Sequence, residues 1–152
     1  MGYTHYWTIN AMANTEYKRA IKEIKELIKW ERKDCDCSLI ENNPTAAGEI
    51  DFNGALYETS CENFYLPNKL KKITLNHMGF CKTNRHEYDL MVVASLFILK
   101  KHMGSAITLQ SDGYDNPRSF DEEIMNGFEF YKMFQDEQMA SFSKIPLHWY
   151  FS

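Results

Sequence analysis

This chain lacks the signatures that would assign a reaction at sight. It contains no GxxxxGK[ST] phosphate loop and no HExxH pair, so the common marks of nucleotide hydrolases and metalloproteases are missing. It has no basic surplus: 17 Lys and Arg stand against 21 Asp and Glu, for a net charge of −4. That balance argues against a broad, sequence-independent grip on nucleic acid and leaves room only for a local basic patch. Its longest apolar run, residues 90–99, is about half the length a membrane-spanning helix requires, so it reads as a core helix and no membrane partner is expected. Met1-Gly2-Tyr3-Thr4-His5 runs straight into a strand-like stretch with no Arg/Lys-led apolar leader before it, so a cytoplasmic location is expected, that of a host cell if the chain is phage-encoded. Internal repeats and low-complexity tracts are also absent.

Cysteine is sparse. Without a secretory signal, Cys35, Cys37, Cys61 and Cys81 read as reduced thiols rather than a disulfide framework. The pair Cys35-Asp36-Cys37 could ligate a metal, but structural zinc sites usually separate their paired cysteines by about two to four residues and no second pair follows, so free thiols are the better reading. Neither a metal nor a cofactor is expected.

What is present suffices for one domain spanning residues 1–152, since 44% of the 152 residues are hydrophobic and 14% aromatic. Residues 3–9, rich in aromatic and β-branched types, read as a strand. Asn14 or Thr15 then caps a helix whose Tyr17, Ile21, Ile24 and Ile28 recur at helical spacing. Residues 31–45 are polar and end in Asn42-Asn43-Pro44, a long loop. Glu49-Ile50-Asp51-Phe52 runs into Asn53-Gly54, a strong hairpin signal, with a returning arm from Ala55. Residues 56–81 are the least legible and are expected to hold one or two strands. A second helix over residues 88–103 is apolar nearly all round and stops at Gly104. Residues 106–110 read as a strand, Ser111-Asp112-Gly113 as its exit turn and residues 115–118 as a loop. A third helix is expected from Ser119, with Glu122 completing a capping box.

Strand, helix, strand, strand, helix, strand is the order of an α+β, ferredoxin-like split βαβ sandwich, here with an added C-terminal helix. In that arrangement the start of strand 1 lies beside the start of helix 2 and the exit of the last strand. His5, Lys82-Thr83-Asn84-Arg85 and Ser111-Asp112 would therefore converge. Lys82 and Arg85 flank a helix N-terminus, whose N–H groups favour an anion, so a phosphate or carboxylate site is expected there.

Each of these residues also has a purely structural reading. Lys82 and Arg85 could pair with Asp112 and Asp89, Thr83 or Asn84 could cap the helix, and His5 could be a hydrogen-bonded strand histidine. Asp89, in the first helical turn, is stabilising there without a ligand. Trp7 and the tail Trp149-Tyr150-Phe151 read as core or as a homo-oligomer contact rather than base-stacking platforms.

The opening Met1-Gly2-Tyr3-Thr4-His5-Tyr6-Trp7, with Phe52-Asn53-Gly54, Phe80-Cys81-Lys82-Thr83-Asn84-Arg85, Tyr88-Asp89 and Ser111-Asp112-Gly113, resembles a family of small uncharacterised proteins carried by phages and bacteria. The match spans residues 1–131. What the resemblance implies is a cytosolic, phage-associated protein; it carries over no activity.

Two functions follow as expectations. The first is a small-ligand protein recognising a phosphorylated or nucleotide-like molecule through His5, Lys82, Thr83, Arg85, Asp89, Ser111 and Asp112, in evasion of bacterial defence. If the ligand is cleaved, His5 is the one group suited to acid or base work near neutrality. The second is a protein-binding, anti-CRISPR-like inhibitor that acts on a bacterial defence protein by surface mimicry, which the acidic balance fits. The sequence does not identify a reaction.

Overall fold

The structure, a computed structural model, describes residues 2–33, 38–41, 44–45, 47–116, 119–138 and 145–152. Met1, the Cys35-Asp36-Cys37 pair, Asn42-Asn43 and the loop residues Pro117 and Arg118 lie outside them.

Alternation along the first strand builds the sheet. In β1 (Thr4–Ile9) the residues His5, Trp7 and Ile9 are buried, while Thr4, Tyr6 and Thr8 on the other face are half-buried. β1 is the central strand of an antiparallel sheet of order β4-β1-β5, with β4 at Met78–Lys82 and β5 at Ile107–Ser111. One face carries helices. Helix α1 (Asn14–Lys33) buries Tyr17, Ala20, Ile21, Ile24, Leu27 and Ile28, the stripe its sequence spacing predicts.

Helix α2 (Asp89–Met103) has every residue from Met91 to Lys100 buried, because it packs against α1, β5 and α3 (Glu122–Glu137). Each buried Leu, Ile, Val, Phe or Met there contributes about 1.5–3 kcal/mol. Gly127 allows α3 to approach closely, since a Cβ on it would fall 2.5 Å from Val93 Cγ1. Gly104, at φ 54°, ends α2 as the sequence predicts.

The fold is α+β with antiparallel sheets, and β4-β1-β5 reproduces three strands of the split βαβ order. The second strand is placed differently. β2 (Ile50–Phe52) pairs with β3 (Phe64–Leu66) in a separate hairpin instead of joining the β4 edge. That edge is already engaged at Lys82, whose carbonyl accepts the Glu62 N–H at 3.0 Å and whose N–H donates to Glu62 Oε2 at 2.8 Å.

Asn53-Gly54 is not the two-residue turn its composition predicts, as neither residue has the positive φ such a turn demands. Asn53 instead clamps a longer loop. Its Oδ1 accepts the N–H groups of Gly54 and Cys61, and its Nδ2 donates to Cys61 O and Asn63 Oδ1.

Two further expectations shift. The segment after Gly113 forms a small hairpin, β6 (Tyr114–Asn116) with β7 (Ser119–Phe120). The cap of α3 is Asp121, whose carboxylate accepts the Ile124 N–H at 2.9 Å, rather than Ser119.

The aromatic tail is core. A 3-10 turn, Leu147–Phe151, buries Tyr150 4.6 Å from the Phe97 ring and within 3.0 Å of the Tyr131 hydroxyl. The buried Lys100 ammonium holds that turn through Ser152 O. No helix among the described residues is long and apolar enough to cross a membrane.

Candidate functional site

The three predicted segments do meet. The register pairs His5 with both Cys81 and Ser111, which brings the end of β4 and the exit of β5 to the start of β1. His5 Nδ1 lies 2.8 Å from Ser111 Oγ, and His5 Nε2 lies 2.5 Å from Asp89 Oδ1. The same Asp89 oxygen accepts the Thr83 hydroxyl at 2.5 Å. Ser111, His5, Asp89 and Thr83 thus form one continuous chain of hydrogen bonds. Thr83, His5 and Asp89 are 0%, 1% and 4% exposed, so this chain lies inside the protein and both ring nitrogens of His5 are taken. Only Ser111 is half-buried, and its Oγ also accepts the Gly113 N–H at 3.1 Å.

Beside this chain lies Tyr3, buried, with its ring edge-on to His5 and its hydroxyl donating to Asp121 Oδ1. Burial, followed by the nearby Asp89 and Asp121 carboxylates, pushes its phenol well above the ordinary range. Thr83-Asn84-Arg85-His86 is a turn closed by the His86 N–H on Thr83 O, with Asn84 and Arg85 at φ 54° and 64°. A left-handed Arg costs about 1–2 kcal/mol. Its contacts offset that. The guanidinium sits 4.2 Å over the Tyr3 ring and pairs with Asp121 at 3.0 Å and Glu123 at 2.5 Å. Desolvation acts against its charge, but those two carboxylates prevail and raise its pKa.

The predicted anion cradle is therefore changed in two respects. Arg85 already faces two carboxylates of α3, neither of them the partner the sequence suggested. The first-turn N–H groups of α2 are also occupied: Asp89 donates to His86 O at 2.9 Å and Met91 to Tyr88 O at 2.9 Å. Thr83 does not cap the helix, whose N-cap is Tyr88 without a side-chain bond. Asp112 is exposed and closes on β1, its Oδ2 accepting the Thr4 N–H and its own N–H donating to Thr4 O.

Lys82 is the cation left available. Its side chain lies along Gly2, and no acceptor among the described residues meets its Nζ.

Lys82 belongs to a second surface that the sequence reading missed. Tyr3 O accepts the Thr83 N–H, and Thr4 O accepts the Asp112 N–H; odd residues of β1 therefore bond toward β4 and even ones toward β5. Tyr6 and Phe80 consequently form a close, non-hydrogen-bonded pair on the face away from the helices. Phe80 and Met78 are 58% and 53% exposed, and neither Phe80 nor Tyr6 stacks on another ring among the described residues. Thr4, Thr8, Thr108 and Gln110 surround them, and Lys82 ends the row. A legible signal existed in the alternation of Met78, Phe80 and Lys82 with Gly79 and Cys81.

Comparison with protein-family models, with curated proteins and with solved structures finds no match to this chain. The functional reading therefore rests on the geometry.

Proposed function

We propose that the protein binds a phosphorylated, nucleotide-like molecule on the open face of the sheet, a phage-associated role in evading bacterial defence. The observation that carries this is the row Tyr6, Phe80 and Lys82: a half-buried ring and an exposed one in close register, followed two residues along β4 by an ammonium with no acceptor among the described residues. Aromatic rings on adjacent strands accept a base by stacking, and the Thr and Gln side chains around them offer hydrogen bonds to its edge. Same-face neighbours on a strand are about 7 Å apart, the order of the distance from base to 5′-phosphate in a mononucleotide. The buried chain of Ser111, His5, Asp89 and Thr83 holds the strand ends beneath the phosphate end in register, and Arg85 fixes the adjoining turn.

Titration calorimetry with nucleoside monophosphates tests this reading. Phe80→Ala is expected to weaken binding about five- to hundredfold, from the loss of one stacking contact. Lys82→Ala should weaken the monophosphate but not the nucleoside. Binding unchanged in Phe80→Ala would refute the reading, as would a protein isolated from cells that carries no small molecule and responds to no nucleotide.

A protein-binding inhibitor is the second reading, and it rests on a different observation. Leu56 and Tyr57 are adjacent and 63% and 92% exposed, suited to anchor a partner protein. Co-purification of a defence protein that is lost in Tyr57→Ala but kept in Phe80→Ala would favour it.

A further inference from the structure

At the far end of β1 from His5, a cavity of about 270 Å³ lies between the β2–β3 hairpin and the β4 edge. Its walls are apolar: Trp7, Ile9, Leu66, Pro67 and Met78. Gly79 makes room for the Trp7 ring to lie across β4, because a Cβ there would fall 2.5 Å from the indole Cε2 and Nε1. Three polar groups on the lining are already satisfied, Tyr65 among them through Glu49. The Tyr17 hydroxyl donates to Pro67 O at 2.5 Å, and the Thr74 hydroxyl donates to Lys71 O at 2.7 Å.

Three donors on the lining remain. The Trp7 Nε1–H, the His77 ring and the Lys71 ammonium have no side-chain hydrogen-bond partner among the described residues, and Trp7 is only 8% exposed. The Trp7 Nε1–H is not among the sealed, unpartnered side-chain atoms of the described residues, so it stays open to the cavity, and a ligand that covers it must supply an acceptor. Glu49, the carboxylate that acts on Tyr17 and Tyr65, accepts a hydrogen bond from Tyr65 and is not part of the lining.

We infer that this cavity is a second ligand site and takes a small apolar carboxylic acid. Its apolar walls suit one ring or a short branched chain, since the volume falls just below the usual range of ligand pockets. Two carboxylate oxygens match the indole N–H together with the Lys71 ammonium and the His77 ring at the rim. A neutral amide of the same shape would leave the Lys71 charge uncompensated. The site borders the nucleotide surface at Met78, but Phe80 and Lys82 do not line it, so either proposal can fail alone.

The probe is phenylacetate, with phenylacetamide as its uncharged isostere, titrated into the ¹⁵N-labelled full chain. Of the three indole N–H signals, that of Trp7 is identified by its absence in Trp7→Phe. Phenylacetate is expected to shift this signal at millimolar concentration or below, with phenylacetamide and Lys71→Ala each weakening the response about tenfold. Lys71 is exposed, so this variant keeps the fold, and Lys18→Ala on the outer side of α1 should leave binding unchanged. The inference is overturned if the Trp7 signal does not move, if the amide binds as well as the acid, or if Lys71→Ala combined with His77→Ala binds phenylacetate normally.

Discussion

Removing the Asp89 carboxylate is the most decisive single perturbation of the converged end. Asp89 Oδ1 accepts two hydrogen bonds of 2.5 Å, from His5 Nε2 and Thr83 Oγ1, and both donors are sealed from water. Asp89→Ala strands the two donors. Each buried group left unpaired costs about 1–3 kcal/mol, so the pair should lower stability by about 4 kcal/mol. A domain of this size has about 5–15 kcal/mol in total, and each kcal/mol moves its Tm by about 2–4 °C. The fall in Tm should be about 8–16 °C.

Urea unfolding and calorimetry measure this directly, and Asp89→Asn, which keeps one acceptor oxygen, should cost less. A cycle combining Asp89→Ala with His5→Ala should show coupling of about 0.5–3 kcal/mol, since the second change removes a donor already stranded by the first. Were Asp89→Ala to cost under about 1 kcal/mol, or the two changes to add independently, the hydrogen-bond chain would not be what holds the three segments together.

Two further outcomes follow from titratable groups away from that chain. Burial works against ionisation of Glu23, but hydrogen bonds from His102 and Lys101, together with the Lys101 charge, hold its pKa down to about 2. Because the folded value lies below the unfolded one, this stabilisation is complete above the ordinary carboxylate pKa and is lost as pH falls toward about 2. Glu23→Gln should flatten the acid limb of a Tm–pH profile, and superimposable profiles would contradict the assignment. Burial, reinforced by Glu62, pushes the Cys81 thiol up to about 12, whereas Cys61 is half-buried. Iodoacetamide at mildly alkaline pH should therefore label Cys61 well before Cys81 in peptide mass spectra; equal rates would show that Cys81 is not shielded.

Local spacing and chain order made much of this molecule legible. The α1 stripe, the all-round burial of α2 and its stop at Gly104 follow from periodicity and from the conformational freedom of glycine. Because strand order brings chain ends together, the meeting of His5, Thr83, Asp89 and Ser111 was also readable. Asn53-Gly54 misled because local turn preference is weak beside an Asn side chain that can satisfy the Cys61 backbone. Ser119 misled similarly, with Asp121 two residues on offering the stronger cap.

By itself, then, the sequence determined that strand 1 meets the start of helix 2 and the exit of the last strand of the sheet, which helix is central and which polar residues collect at that end. Only the tertiary structure decided what those residues do for one another. Nothing local to Lys82-Thr83-Asn84-Arg85 says that Asp121 and Glu123 from α3 will pair with Arg85, or that backbone carbonyls will occupy the N–H groups of α2. Nor does it say that Lys82 will share with Tyr6 and Phe80 the sheet face away from the helices. Pairing partners and exposed faces depend on contacts between residues distant in sequence, which local periodicity does not encode.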